Sequence, residues 1–296
     1  MTERLKHPVR YRLEAIVFKA VLWILRRLPL DAASAVVGVI FRTIGPLLRV
    51  SDRARGNLKR AFPEKLPHEI NHTVKAMWEH LGRVVAEYAH LEELRCFRDG
   101  GRVEVINPDI LTAARDTGLG SIVVTGHFGN WEAQGFCAAD QGVKASVVYR
   151  TANNPLIDRE LQRLRSVIVD AQFPKGAGGA RKILKYLKSG GMVAMLMDQK
   201  MNDGVPVPFF GEDAMTPPAA AELAYKYGYP LIPLRSERLT GSRFRITVHP
   251  PINVLRSGDR EADVRAALVE INALLEDWIR ERPEQWLWLH NRWPET

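Results

Sequence analysis

From residue 102 onward, short apolar runs alternate with stretches of helical periodicity, and this alternation limits the possible folds more than any other feature of the sequence. Four β-branched or apolar runs predict strands at residues 121–125, 145–149, 192–197 and 231–234. Helical stretches lie between and after them, at about residues 131–140, 155–167, 179–189 and 217–227. Such alternation is typical of βαβ units, so we predict an α/β fold with a mostly parallel central sheet flanked by helices.

Three further segments extend this pattern on either side. Residues 69–94 carry apolar side chains at i, i+3 and i+4, which predicts a long amphipathic helix ahead of the sheet. Residues 243–248 predict a late strand, antiparallel at an edge, and residues 261–282 predict a closing helix. Since no long linker divides this region, we predict one catalytic domain at 61–296 and a separate segment at 1–60.

Polar side chains follow three of the predicted strands at the points where those strands end. Gly126-His127 follows the first run, Arg150 follows the second, and Asp198-Gln199 follows the third. In open α/β sheets the carboxyl ends of the strands form one crevice in which ligands bind. We therefore expect these polar groups to converge on a single site.

The segment HFGNWE at 127–132 places a carboxylate five residues after a histidine. If the chain turns through Gly129-Asn130, Glu132 can accept the Nδ1–H of His127 and leave Nε2 free to take a proton. Because the segment offers no serine or cysteine nucleophile, the pattern favours a base that activates a substrate hydroxyl. A purely structural His–Glu pair is the alternative. No metal site is predicted, since further ligands at helical spacing are lacking.

A glycine-rich loop, KGAGG at 175–179, precedes a predicted helix. Loops that open a helix in this way suit phosphate groups, so Lys175 is a candidate for binding a substrate phosphate, and an ordinary tight turn fits equally well. Arg181 stands where the third glycine of GxGxxG would be, so no dinucleotide cofactor is predicted.

The basic charge of the chain is concentrated at its N-terminus. Residues 1–60 hold 13 Lys and Arg against 4 Asp and Glu, a net charge of +9, whereas the whole chain carries +8. A nucleic-acid enzyme more often carries basic charge across its working face. Basic residues mixed with apolar ones favour an anionic membrane surface, and a solvated helix face is the alternative.

The apolar residues of this segment predict two helices. In residues 11–28, Arg12, Lys19 and Arg26 share one helix face, and the apolar side chains occupy the other. After a break at Pro29, residues 32–41 and 43–48 are uncharged, and no run reaches the roughly 18 to 20 residues of a spanning helix. We therefore predict a helical hairpin in one leaflet of a membrane. One alternative is a tilted spanning helix in which the Arg42 side chain snorkels to the membrane interface, and the other is that both helices pack on the enzyme core.

An ordered series of motifs then resembles one family over nearly the whole chain. The motifs are TGHFGNWE at 125–132, VYRTANNPLID at 148–158, GGMVAMLMDQK at 190–200, VPFFGEDAMTPP at 207–218 and PEQWLWLHNRWP at 283–294. HFGNWE resembles the HxxxxD/E motif of glycerolipid-type acyltransferases. The series as a whole resembles the bacterial late lipid A acyltransferases, the lauroyl/myristoyl transferase family, which have a glycerol-3-phosphate acyltransferase-like fold.

The resemblance implies a reaction, its partners and a location. An acyl chain would pass from acyl carrier protein to a hydroxyl of a lipid A precursor, at the cytoplasmic face of the inner membrane, with no cofactor and no nucleic acid. His127 would be the general base, and Glu132 would orient it. Arg150 would hold an acceptor phosphate or the oxyanion, unless it only forms a salt bridge with Asp198. The residues expected to bind substrate are Arg150, Asp198, Gln199, Asn130 and Lys175.

Three alternatives to this function stay open on the sequence. The acceptor could be another polar lipid, such as a phosphatidylinositol mannoside, because nothing in the chain reads the acceptor directly. A non-catalytic membrane-binding protein on the same scaffold is disfavoured by the intact His127 and Glu132. A lipid hydrolase is disfavoured because the chain has no GxSxG nucleophile elbow.

Overall fold

The computed structural model describes residues 7–293. Its strands are β1 (Val103–Ile106), β2 (Ser121–Thr125), β3 (Ala145–Tyr149), β4 (Ala171–Pro174), β5 (Met192–Leu196), β6 (Val205–Phe209), β7 (Glu212–Thr216), β8 (Leu231–Thr240) and β9 (Arg243–Val248). Seven of them form one sheet in the order β1-β9-β8-β2-β5-β3-β4, and β6 and β7 form a separate antiparallel hairpin. Within the large sheet every neighbouring pair is parallel except β8 and β9. The predicted α/β fold with a mostly parallel sheet is confirmed.

Ten α-helices accompany the strands in the described part of the chain. They are α1 (Pro8–Leu25), α2 (Leu30–Ile44), α3 (Val50–Ala61), α4 (Pro67–Glu87), α5 (Asp109–Asp116), α6 (Gln134–Ala139), α7 (Pro155–Arg165), α8 (Ala177–Lys188), α9 (Ala219–Tyr227) and α10 (Arg260–Glu281). The helix predicted at 69–94 is α4, which continues into a 3-10 turn at Tyr88–Leu94.

The strand bounds agree closely with the sequence pattern. β2, β3 and β9 have the predicted limits, β5 ends one residue earlier, and β8 continues to Thr240. β9 is antiparallel to β8, as predicted, but it does not lie at the edge, because its other side pairs with β1. β1, β4, α5 and the hairpin were not predicted, since each is too short or too polar to show a periodicity.

Helices cover both faces of the sheet because successive strand side chains point to opposite faces. Ile122 and Val124 of β2 pack in one apolar cluster with α4, α8, α9 and α10. Val123, between them, packs in a second cluster with Phe136 and Cys137 of α6. The sheet therefore has one apolar cluster on each of its two faces.

The apolar stripe predicted on the first helix faces outward. Only Ala15, Leu22 and Leu25 of α1 are buried. Packing on the rest of the protein therefore covers only one side of this helix. The exposed apolar side chains include Leu13, Ile16, Val17, Val21 and Ile24 of α1, and Val36, Val39, Ile40 and Ile44 of α2. An unpaired apolar surface of this extent is typical of a protein or membrane interaction site.

One stretch of the described residues is long and apolar enough to cross a membrane. Leu30–Leu47 has 18 residues and a mean hydropathy of 1.4, and 28% of it is buried. This window includes Asp31 and Arg42, so the uncharged runs within it are as short as predicted, and by length and composition the stretch fits the alternative of a spanning helix. The hairpin in one leaflet stays a prediction. Within this stretch the Arg42 guanidinium pairs with Glu79 of α4 at 2.8 Å.

The predicted division at residue 60 falls inside α3. Leu58 and Ala61 of this helix belong to the main apolar cluster, together with residues of the sheet and of α10. Residues 1–6 of the predicted anchor lie outside the described residues. The two-part division stays a prediction.

A buried ion pair joins the N-terminal helices to the sheet. Glu87, at the end of α4, is fully buried and accepts two hydrogen bonds from Arg238 of β8, at 2.6 and 2.9 Å. The same carboxylate accepts from the hydroxyl of Ser34 on α2 at 2.9 Å and from Asn130 at 2.7 Å. One carboxylate therefore ties together α2, α4, β8 and the loop after β2.

Replacing Glu87 by alanine is expected to lower the free energy of unfolding by about 3–5 kcal/mol, because Arg238 is left buried without its counter-charge. Chemical denaturation of the detergent-solubilised protein, followed by tryptophan fluorescence, measures this loss. Glu104→Ala, which removes a carboxylate from an exposed pair with Arg245, is the matched control and is expected to change stability by less than about 1 kcal/mol. If the two substitutions lowered the free energy of unfolding equally, Glu87 would not stabilise this junction more than an exposed ion pair does.

Candidate active site

The strand order brings the predicted polar groups to one edge of the sheet. β5 lies between β2 and β3, and Thr125 at the end of β2 pairs with Leu196 at the end of β5. The residues that follow these two ends, His127 and Asp198, therefore emerge side by side. Arg150 follows the end of the next strand, β3.

Asp198 holds His127 through two atoms. The Nδ1 of His127 lies 2.9 Å from one carboxylate oxygen, and the backbone N–H of His127 donates to the other at 2.6 Å. The indole N–H of Trp286 donates to the second oxygen at 2.8 Å. Burial alone would raise the pKa of Asp198, but His127 and these hydrogen bonds hold it well below its usual range. Because an ionised carboxylate only accepts, Nδ1 of His127 carries the proton and Nε2 presents a lone pair.

The C-terminal segment builds the wall behind this pair. Phe128 and Trp286 form an antiparallel bridge, and the backbone N–H of Leu287 donates to the carbonyl of His127 at 3.2 Å. Gly129 has a φ of 57°, and a Cβ there would lie 2.0 Å from the carbonyl oxygen of Ser236, so only glycine fits. The turn after His127 is fixed by its neighbours on both sides.

Glu132 does not make the hydrogen bond that the sequence predicted. Its carboxylate is held by Arg165 of α7, at 2.7 to 3.1 Å, and by the hydroxyl of Tyr88. The expected partner on His127, Nδ1, is taken by Asp198. α6 begins at Gln134 and not at residue 131, so residues 131–133 form a turn, from which the Glu132 side chain reaches Arg165. Glu132 nevertheless lines the same cavity as His127.

The Glu132–Arg165 pair is largely withdrawn from water. Burial would lower the pKa of Arg165, but the charge and hydrogen bonds of Glu132 outweigh it and raise that pKa. Burial, reinforced by Glu132, raises the pKa of the Tyr88 hydroxyl well above its usual value. Arg165 is therefore a cationic group in the cavity wall, held by the Glu132 carboxylate.

Gln199 links His127 to a second histidine that the sequence analysis did not single out. The side-chain nitrogen of Gln199 lies 3.3 Å from Nε2 of His127 and 3.1 Å from Nε2 of His290. Burial and the neighbouring His127 lower the pKa of His290 to about 4, so its ring is neutral at pH 7. A sequence signal for His290 was its position in the motif at 283–294. Pro294 of that motif lies outside the described residues.

Arg150 and Lys175 lie at the mouth of the site. Both are exposed and line the cavity; Arg150 contacts Asn153 at 3.5 Å, and the Lys175 ammonium lies 3.4 Å from the Gln199 carboxamide. The alternative of a salt bridge between Arg150 and Asp198 is wrong, because His127 and Trp286 occupy the Asp198 carboxylate.

Asn130 is a structural residue of the turn. Only 1% of it is exposed, and it does not line the cavity. Its side-chain oxygen accepts from the backbone N–H groups of Glu132 and Ala133, and its nitrogen donates to Glu87. The prediction that Asn130 binds substrate is therefore corrected: its hydrogen-bonding groups are used inside the protein.

A cavity of about 730 Å³ opens at His127 and has a mostly apolar lining. β3 and β5 pair with each other only as far as Val147 and Ala194. Beyond these residues β3 pairs only with β4, and β5 pairs only with β2. The lining includes Val147 and Ala194, whose side chains point to one face, and Val148 and Met195, whose side chains point to the other. The cavity therefore reaches both faces of the sheet, and its size and lining suit a long apolar ligand.

Comparison with known proteins agrees with this architecture. The family model for bacterial lipid A biosynthesis acyltransferases matches residues 2–295. The chain is 25% identical to the lipid A biosynthesis acyltransferase of Haemophilus influenzae, over 80% of this chain and 73% of that one. It is 29% identical to the lipid A biosynthesis lauroyltransferase of Escherichia coli, over 80% and 76%. It is also 25% identical to the phosphatidylinositol mannoside acyltransferase of Mycolicibacterium smegmatis, over 82% and 79%.

Asp198→Asn is expected to lower the rate of acyl transfer by about 10⁴-fold, because an amide no longer fixes the Nδ1–H tautomer of His127. Single-turnover kinetics with a labelled acyl donor measure this rate. Asp140→Asn is the matched control, since Asp140 is a partly buried carboxylate paired with Arg95 outside the cavity lining, and its rate should stay within about twofold. Similar transfer rates for the two variants would show that Asp198 does not support His127 in the reaction.

Proposed function

The chain belongs to the bacterial lipid A biosynthesis acyltransferase family, and from that premise we propose that it transfers a fatty acyl chain from acyl carrier protein to a hydroxyl of a lipid A precursor. That it is an acyltransferase follows from the family itself. The observation that carries the proposal is the Asp198–His127 pair at the mouth of a long apolar cavity. The carrier-protein donor and the late position of the acylation are the finer parts of the proposal.

The reaction begins with proton transfer to His127. The acceptor hydroxyl gives its proton to Nε2, and its oxygen attacks the thioester carbonyl to form a tetrahedral intermediate. The C–S bond then breaks, the thiolate of the carrier's arm takes the proton back from Nε2, and the acyl chain leaves as an ester of the acceptor. Asp198 stabilises the imidazolium that exists between these two steps.

Gln199 and His290 are placed to assist both halves of this reaction. Because the Gln199 carboxamide nitrogen approaches Nε2 of His127, we assign it as a donor that the acceptor hydroxyl displaces. The displaced N–H group is then available for the developing oxyanion. His290 stays neutral, so it can accept from Gln199 without placing a second positive charge beside His127.

Cationic side chains around the mouth fit phosphate-bearing substrates. Arg150, Lys175 and Lys200 line the cavity, and the first two are exposed. Charge-assisted hydrogen bonds from such groups bind phosphate more strongly than neutral ones do. We assign them to a phosphate of the acceptor lipid or of the carrier's phosphopantetheine arm, and Glu132 to holding Arg165 in the wall.

The exposed apolar faces of α1 and α2 support work at a membrane surface. We propose that they enter the cytoplasmic leaflet of the inner membrane, with the basic side chains of residues 1–60 at the level of the anionic headgroups.

A second acceptor is a specific alternative. The Mycolicibacterium smegmatis relative, named a phosphatidylinositol mannoside acyltransferase, is as similar to the chain as the Haemophilus influenzae relative is. The same base and cavity serve either acceptor, since both reactions esterify a hydroxyl of a polar lipid. Only the groups that contact the headgroup would differ.

A transfer assay tests the proposal directly. Membranes that contain the protein receive labelled acyl carrier protein and a tetra-acylated lipid A precursor, with His127→Ala in parallel. We expect the acceptor to gain the mass of one acyl chain, and the variant to lose at least about 10³-fold in rate, because it lacks the base. Labelling of a mannoside lipid instead would select the second acceptor. If no lipid were labelled, the non-catalytic alternative would replace the proposal.

The membrane assignment predicts a loss of vesicle binding. Leu13→Glu with Val17→Glu places two charges in the exposed stripe of α1, and we expect binding to anionic vesicles to fall by at least about tenfold, because charged side chains do not partition into the membrane interior. Sedimentation with vesicles measures it. Leu119→Glu with Leu255→Glu is the control, since both leucines are similarly exposed elsewhere. Equal loss in both proteins would overturn the assigned face.

A further inference from the structure

A run of basic residues extends from the cavity mouth along the next helix of the chain. Residues 175–189 contain five Lys and Arg and no Asp or Glu. The first of the five, Lys175, belongs to the mouth. The other four lie on α8 and are all exposed: Arg181, Lys182, Lys185 and Lys188. We call these four side chains the α8 face.

The α8 face has no counter-charge in the described part of the chain. None of its four cations forms an ion pair there, whereas Arg163 and Arg165 of α7 both pair with glutamates. The Lys188 ammonium instead lies 5.7 Å from the centre of the Tyr227 ring, and the Lys226 ammonium of α9 lies 5.4 Å from the same centre. Like charges three or four residues apart on a helix repel each other. The face therefore concentrates positive charge that an acidic partner would neutralise.

α8 begins beside the cavity mouth. Ile183 of this helix lines the cavity, as does Lys175 just before it. Because β4, β3 and β5 are all parallel, the helix between β4 and β5 returns from the carboxyl end of the sheet to its amino end. Arg181 is thus the cation of α8 nearest to the mouth, and Lys185 and Lys188 follow about 6 and 10 Å further along the helix. A macromolecule that reaches into the mouth meets this face beside it.

The α8 face differs from the surface that we assign to the membrane. A helix that lies in a membrane interface buries apolar side chains among the lipids. Among the described residues, none of the exposed large apolar side chains lies on α8, because Ile183 and Leu187 turn inward to the core. α1, whose apolar stripe is exposed, packs through Leu22 on the cluster at the opposite face of the sheet. These observations favour an acidic protein over a lipid surface.

We propose that the α8 face docks an acidic surface of the acyl carrier protein that delivers the donor. The thioester reaches His127 through the mouth, so the carrier at the far end of the arm rests on the surface around the mouth. Opposite charges on the two surfaces raise the rate of encounter and orient the carrier so that its arm points inward. This inference rests on the proposed function and adds the surface by which the donor is recognised.

Reversing two charges of the α8 face tests the proposal. Arg181→Glu with Lys185→Glu is expected to raise the KM for dodecanoyl acyl carrier protein by at least about tenfold at low salt, because charges at the rim of an interface mainly set the rate of encounter. Neither side chain lines the cavity, so kcat should not change. The KM for dodecanoyl-pantetheine, which has the arm but no protein, should not change either. Steady-state kinetics with the two donors measure these values.

Lys75→Glu with Arg265→Glu is the matched control. Both side chains are exposed cations on helices, α4 and α10, and neither forms an ion pair in the described chain or lines the cavity. The control loses the same net charge, and its KM for the carrier donor should stay within about twofold of the parent value. An equal rise of this KM in both variants would show that only the total charge matters, and it would overturn the proposal.

Direct binding separates this proposal from the proposed function. Acyl carrier protein with its arm but without an acyl chain is titrated into the detergent-solubilised parent protein, the α8 variant and the control. Binding that only the α8 variant loses supports the docking surface, even if no lipid were acylated. Equal binding by the parent and the α8 variant, or none by the parent, overturns the docking surface and leaves acyl transfer to be judged by its own assay.

Sedimentation with anionic vesicles tests the membrane as the other occupant. The α8 variant is expected to bind vesicles as the parent does. Loss of vesicle binding with an unchanged KM for the carrier donor would assign the α8 face to the membrane and overturn the proposal. Should the α8 variant fail to fold, Arg181→Gln with Lys185→Gln carries the same tests, with a smaller expected rise of KM because the charges are removed and not reversed.

Discussion

The buried carboxylate of Glu87 joins the N-terminal helices, the sheet and the turn after β2. It accepts hydrogen bonds from Arg238 of β8, Ser34 of α2 and Asn130 of that turn, so three parts of the molecule share one charge. His80 also contacts this junction. Burial and the charge of Arg238 keep the pKa of His80 well below its usual value, so its ring is neutral. The neutral ring accepts a hydrogen bond from Arg238 and donates one to the carbonyl of Gly129. A buried charge tolerates no loss of its partners, which makes this junction rigid.

That rigidity determines the geometry of the chemistry. Asn130 is held by Glu87 and in turn holds the backbone N–H groups of Glu132 and Ala133, so the turn between β2 and α6 has one conformation. The separation of β3 from β5 beyond Val147 and Ala194 then opens the sheet beside the base. His127 and the apolar cavity therefore meet at the edge where the carboxyl ends of the strands lie. This is where ligands bind in α/β proteins generally, and here the ligand is assigned as an acyl chain.

Much of this arrangement was predictable from local patterns. The limits of β2 were predicted from its continuous apolar run, which is buried on both faces, and those of β9 from its alternating pattern, which is buried on one face. The polar residues after β2, β3 and β5 pointed to one crevice, which the strand order produces. β1 and β4, with four residues each, were missed because so few residues carry no periodicity. Asn130 was assigned to substrate on its place in the motif, although its side chain is turned inward to Glu87.

The fold class, the place of His127 directly after a strand and the family of the chain could be predicted from the sequence, because they depend on runs and motifs that are contiguous in the chain. Only the tertiary structure shows which carboxylate pairs with His127. Glu132 is five residues away and Asp198 is seventy-one, yet Asp198 takes Nδ1 because β2 and β5 are neighbours, and Glu132 pairs with Arg165 because the turn before α6 directs it there. Pairing between distant strands and the direction of a side chain in a turn are set by packing of the whole molecule. No pattern within HFGNWE contains that information.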